Sequence, residues 1–113
     1  MRYPTDKSSD KFRANLVRNS VALEFGLDPN DKIYAGKRGS PHVVLSRQIA
    51  IYLLHTVFNI NLTRAAKAFR RHRATAQHAC DTIEVLREDP MLDARISALE
   101  FFLKQAPVPQ DCR

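Results

Sequence analysis

Apolar residues along this chain recur at helical intervals rather than strand intervals. From Lys11 to Phe25, the residues Phe12, Leu16, Val17, Val21, Leu23 and Phe25 form an uneven helical stripe. Asp10 is placed to cap that helix and Gly26 to end it. Leu27 to Tyr34 reads as a turn plus a short helix, with Asp28 at the cap and Pro29 in the first turn. From Leu45 or Ser46 to Phe58 the chain is at its most apolar. Ile49, Ala50, Leu53, Leu54 and Val57 lie on one stripe, and Ile51, Tyr52 and Phe58 widen it, which predicts the central, most buried helix. Asn59 and Asn61 interrupt the pattern. A short helix from Thr63 to Phe69 would bury Leu62, Ala65, Ala66 and Phe69, leaving Arg64 and Lys67 outward. The link Arg70-Arg71-His72 leads to a longer helix, Arg73 to Glu88, with Ala76, Ala79, Cys80, Ile83 and Leu86 on one face and Pro90 closing it. A last helix, Met91 to Gln105, carries Leu92, Ile96, Leu99 and Leu103.

These elements predict an all-α domain of about six helices over residues 11–105, with a polar arm (1–10) before it and a loose tail (106–113) after it. Two glycines and Pro41 exclude regular structure from a basic loop, Gly36 to Pro41. A chain of 113 residues can bury a core without disulfide or metal staples. It has no apolar run long enough to span a bilayer and no signal-peptide pattern, so a cytoplasmic protein is expected. Cys80 falls inside a helix and Cys112 in the tail, a poor disulfide pair that fits a reducing compartment.

Charge changes the picture more than composition does. The net charge is +6, and no Asp or Glu occurs between Asp31 and Asp81. That window holds Lys32, Lys37, Arg38, Arg47, Arg64, Lys67, Arg70, Arg71 and Arg73. A solvated helix surface gains from opposite charges four residues apart, and a one-sign stretch forgoes that support. Such a field points to a polyanion.

The short helix, tight basic turn and longer helix together make a helix-turn-helix over residues 61–88, with Ala65, Ala66 and Ala79 small enough for close packing. In that motif the second helix enters the major groove with its N-terminal residues leading. Those residues are His72, Arg73, Ala74, Thr75 and Gln77, and helix N-terminal amides also favour phosphate.

The segments LSRQIAIYL (45–53), NLTRAAKAF (61–69), HAC (78–80) and IEVLRED (83–89) are similar to motifs of one family. From Lys37 to Asp89 the chain resembles the C-terminal DNA-binding domain of DnaA, the bacterial replication initiator. The resemblance implies a Trp-repressor-like helical domain that reads duplex DNA. It assigns Lys37 and Arg38 to the basic loop that reaches the minor groove, Arg47 to a phosphate contact, and Thr63 to the start of the first motif helix. The family's G-G-R-D-H-T-T signature stands here as Arg70-Arg71-His72-Arg73-Ala74-Thr75, one residue shorter. Only Thr75 of its D-H-T-T core remains, Gly39 occupies the minor-groove arginine position, and Asp81 and Thr82 lie where many relatives are basic.

The candidate DNA-binding set is therefore Lys37, Arg38, Arg47, Thr63, Arg70, Arg71, His72, Arg73, Thr75 and Gln77. Arginines that replace glycines keep phosphate contacts, whereas each lost base contact removes about 1–3 kcal/mol of discrimination. Relaxed or altered preference relative to the standard DnaA box is expected. The three glycines cannot make a phosphate-binding loop, so no ATP-driven step is expected and the chain looks like the DNA-binding module standing alone, as suits a modulator. His72, His78 and Cys80 lack a fourth ligand, and no third group orients a nucleophile, so neither metal, cofactor, small-molecule substrate nor catalysis is expected. Tyr52, Phe58, Phe69, Phe101 and Phe102 read as core rather than as a stacking platform. Double-stranded DNA is the expected partner and the nucleoid the expected place. The alternative is a protein-interaction modulator that keeps the fold and binds the initiator or its regulatory ATPase.

Overall fold

In the computed structural model, residues 9–27 and 41–106 are described. They form five α-helices and no strand: α1 (Asp10–Phe25), α2 (Pro41–Phe58), α3 (Leu62–Ala68), α4 (Arg73–Leu86) and α5 (Pro90–Gln105). The short helix expected between Leu27 and Tyr34, and the basic loop, fall almost wholly outside the described residues. No helix among those described is long and apolar enough to cross a membrane.

The apolar stripe of α2 extends nearly all the way round. Ile49 to Leu54 are all buried, and α2 packs against each of the other four helices. A helix hydrophobic on every side is stable only when surrounded, so α2 becomes the axis of the domain. It starts at Pro41, four or five residues before the stripe begins, because proline suits a first helical turn. His42 in that turn meets the Phe25 carbonyl oxygen through Nε2 at 2.9 Å, joining the start of α2 to the end of α1. Gly26, at φ 69°, closes α1, and its neighbour's amide reaches back to Ala22.

Ion pairs among the described residues help to hold the outer helices. Arg64, expected outward, instead donates from Nε and Nη2 to both carboxylate oxygens of Asp10 at 2.7 and 2.6 Å, tying α3 to α1. Asp10 is thus the first helical residue of α1 and part of the domain, with Ser9 at the N-cap. Arg87, at the end of α4, donates to Asp93 (2.5 Å), Glu100 (2.8 Å), Ser97 (2.9 Å) and the Tyr52 hydroxyl (3.2 Å). Tyr52 in turn donates to Glu84 at 3.1 Å. One guanidinium thereby joins α2, α4 and α5, and the Glu100 bonds hold its pKa well above the ordinary arginine value.

Pro90 does not end α4, which stops at Leu86; it opens α5, with Asp89 as N-cap accepting from the Met91 amide. The Phe101 and Phe102 side chains expected in the core are 69% and 53% exposed. The buried stripe of α5 is Ile96, Leu99 and Leu103, and residues one or two positions off such a stripe turn outward.

Cys80 lies in the core, and burial pushes its thiol up from 9.0 to about 11, with Asp81 and then Glu84 adding to the shift. Well below pH 9 both folded and unfolded chains keep this proton. As pH rises toward 11 the unfolded chain ionises first, so stability falls through that window. The urea midpoint, followed by circular dichroism because the chain has no tryptophan, should drop between about pH 8 and pH 10.5, and Cys80→Ala should flatten the slope. An unchanged slope would place the alkaline loss elsewhere.

Candidate nucleic-acid interface

The two motif helices are built by local signals at every boundary. Asn61 caps α3 by accepting from the Arg64 amide at 2.9 Å. At the other end the Arg70 amide donates to Lys67 O (3.0 Å) and the Arg71 amide to Ala66 O (2.9 Å), the crossed pair of a Schellman turn. The residue in the left-handed position of that turn is Arg70, at φ 58°. An L side chain there costs roughly 1–2 kcal/mol relative to glycine. His72 then takes an extended backbone at the N-cap of α4 and makes no side-chain capping bond.

Ala65 and Ala66 of α3 and Ala76 and Ala79 of α4 are fully buried, so small residues set the approach of the two helices. Ile83 and Cys80 continue the buried side of α4, which packs on α2 as well as on α3. The leading end of α4 is not covered. His72, Arg73, Ala74, Thr75 and Gln77 are exposed, as is Arg70, and Arg71 is half-buried. No acid stands in the first turn of α4. The positive end of that helix dipole therefore carries added positive charge, an arrangement that costs the isolated helix a few tenths of a kcal/mol per group. It becomes favourable when an anion sits against the amides.

Six of the expected residues, Arg70, Arg71, His72, Arg73, Thr75 and Gln77, are thus contiguous on the turn and the first turns of α4. Thr63 is exposed in the first turn of α3. Arg47 differs from them. It is 7% exposed on the inner side of α2, so it offers a phosphate at most the edge of its guanidinium. Lys37 and Arg38 lie outside the described residues.

The outward row of α4 was missed in the sequence. Opposite the buried Ala76, Ala79, Cys80 and Ile83 lie Ala74, His78, Asp81 and Val85, all exposed and separated by four, three and four residues. Thr75 and Thr82 flank the row on one side, Arg73 and Gln77 on the other. The signal lies in that spacing, which brings residues of the third turn into line with the leading end only once the helix is wound. Two hydrogen bonds brace the row: Gln77 Nε2 donates to Asp81 Oδ1 at 3.0 Å, and the Thr82 hydroxyl meets His78 Nε2 at 3.4 Å. Among the described residues, no group of three or more His, Cys, Asp or Glu side chains is arranged to hold a metal ion.

Residues 14–83, which run from within α1 through α3 to the last turn of α4, match the family described as the bacterial dnaA protein helix-turn-helix. This chain is a member of that family. A DnaA-type domain is consistent with the all-helical architecture and with the capped α3, the Schellman turn and α4. The Chlamydia pneumoniae protein named chromosomal replication initiator protein DnaA 2 is 34% identical over 91 residues, 80% of this chain and 20% of its own. The chromosomal replication initiator protein DnaA of Oenococcus oeni is 31% identical over 91 residues, 79% of this chain and 20% of its own. That of Levilactobacillus brevis is 31% identical over 100 residues, 87% of this chain and 22% of its own. The DnaA-type chain therefore spans about a fifth of the length of these relatives.

Proposed function

We propose that this DnaA-type helix-turn-helix binds double-stranded DNA, with the leading end of α4 in the major groove, and that it acts in the control of replication initiation. The observation that carries this reading is the exposed N-terminus of α4, cationic through Arg70, Arg71 and Arg73, with no acid in its first turn. The relatives named chromosomal replication initiators supply the biological setting. Arg70 and Arg71 neutralise phosphates beside the turn, while Arg73 and Thr75 stand nearest the bases. Sequence preference departs from the standard DnaA box, because only one residue of the D-H-T-T core remains. A place in the nucleoid follows from the same reading.

Fluorescence anisotropy on a short duplex across a salt series tests it. Affinity should fall steeply with salt, the logarithmic slope being about 0.9 per phosphate neutralised. Arg71→Ala should weaken all duplexes alike, whereas Arg73→Ala should change their ranking. Absence of binding at low salt, or a flat salt response, would overturn the proposal.

A second reading, a modulator that binds the initiator or its regulatory ATPase, draws on the exposed Phe101 and Phe102 of α5, which lie beyond the family-matched stretch. Association with the initiator that survives alanine at Arg70, Arg71 and Arg73 would favour it.

A further inference from the structure

Asp81 is the first acid after a run of the chain that begins past Asp31 and contains nine lysines and arginines. It sits on the outward row of α4, seven residues beyond Ala74, hence about 10 Å further along the helix axis. A carboxylate there opposes the phosphate attraction of the arginines unless it meets a donor in the groove. Its environment is organised for the second case. Gln77, one turn earlier, uses one amide N–H to hold Asp81 Oδ1 at 3.0 Å. That bond orients the carboxylate and leaves Oδ2 as a free-standing acceptor. It also leaves the Gln77 carbonyl oxygen as a second acceptor. Around them the row offers only the Ala74 methyl, the Val85 side chain and His78, itself engaged with Thr82.

In the major groove the exocyclic amino groups of cytosine and adenine are the base-edge donors, and carboxylates pair with cytosine N4. On the reading that α4 enters that groove, we propose that Asp81 is a specificity-determining residue that requires a cytosine at one position of the site, accepting its N4–H, with Gln77 acting as a positioning residue. Arg73 and Thr75 add preferences of their own at the leading end, and the carboxylate–amino contact, desolvated on binding, fixes the cytosine position. A mismatch at that position leaves Asp81 without a donor and near phosphates, so discrimination comes from both the lost bond and the repulsion.

The experiment uses the full chain in selection from a randomised duplex library, followed by anisotropy on the selected site, on the same site with thymine or N4-methylcytosine at the cytosine, and on an unrelated duplex. N4-methylation keeps base pairing and replaces the groove-facing hydrogen by a methyl group. The expected result is a required cytosine, a loss of about tenfold with either replacement, and no such loss in Asp81→Ala. Gln77→Ala should keep the same cytosine with a ratio reduced several-fold. The unrelated duplex should bind Asp81→Ala as well as or better than the parent. A parent that enriches no cytosine overturns the proposal. So does an Asp81→Ala variant that tightens every duplex equally, since Asp81 is then only a repelling charge. Failure of the parent to bind any duplex at low salt would instead defeat the DNA reading itself, and that outcome is distinct because the unrelated duplex reports it.

Discussion

Replacing Arg87 by alanine should lower the stability of the domain by about 2–4 kcal/mol and its melting temperature by roughly 10–20 °C. The side chain is only 17% exposed and donates to four partners on two other helices. Removing it leaves Glu100, itself 22% exposed, and Asp93 as neighbouring carboxylates without their common cation. Asp93 is 44% exposed and recovers water, so its share of the loss is small. The Glu100 and Tyr52 contacts dominate, because those groups have less solvent to turn to. Arg87→Lys keeps the charge but cannot fork toward Asp93, Glu100 and Ser97 at once, so it should recover less than half the loss. Thermal unfolding followed by circular dichroism reads both variants. A loss below about 1 kcal/mol for Arg87→Ala would mean that solvent replaces the network at little cost.

Changing Arg70 to glycine and both Arg71 and Arg73 to alanine should lower duplex affinity on the order of a hundredfold at low salt. It should also flatten the logarithmic salt slope by about 2–3, near 0.9 for each lost phosphate contact. The Arg70→Gly part should not cost the fold, and this makes its effect on affinity informative. Arg70 holds the left-handed position of the Schellman turn at φ 58°, where glycine relieves strain of roughly 1–2 kcal/mol. Arg70→Gly alone should therefore be more stable than the parent and a weaker DNA binder. An arginine kept where the backbone favours glycine is what a surface selected for charge would show. If Arg70→Gly gained stability and lost no affinity, Arg70 would have no place in the interface.

How much of this was legible beforehand varies by element. The helix stripes of α2 and α4 were readable because burial on a helix repeats every three to four residues, and both cores follow their stripes except at Leu86, which is 38% exposed at the end of α4. The boundaries were less readable. Pro41 and Pro90 were read as stops, yet each begins a helix, since proline is excluded from a helix interior but suits its first turn. The candidate interface was legible at its leading end, where Arg70 to Thr75 form one run of sequence. Its third turn was not, because His78 and Asp81 join the surface only through helical geometry. Phe101 and Phe102 were misplaced for a related reason: hydrophobicity alone does not say on which side of a stripe a residue falls.

Local periodicity and charge order settled, from the chain alone, that this is a helical domain with a cationic turn between two packed helices. Those properties depend on neighbours within a few residues, and short-range rules govern them. Which charges are open to a polyanion was decided only by the packed fold. Arg64 and Arg87 look as available as Arg70 and Arg73 in the sequence, but partners 54, 13 and 6 residues away claim the first two. An ion pair across helices needs both backbones in place, so no local pattern could have separated structural arginines from those left to face a ligand.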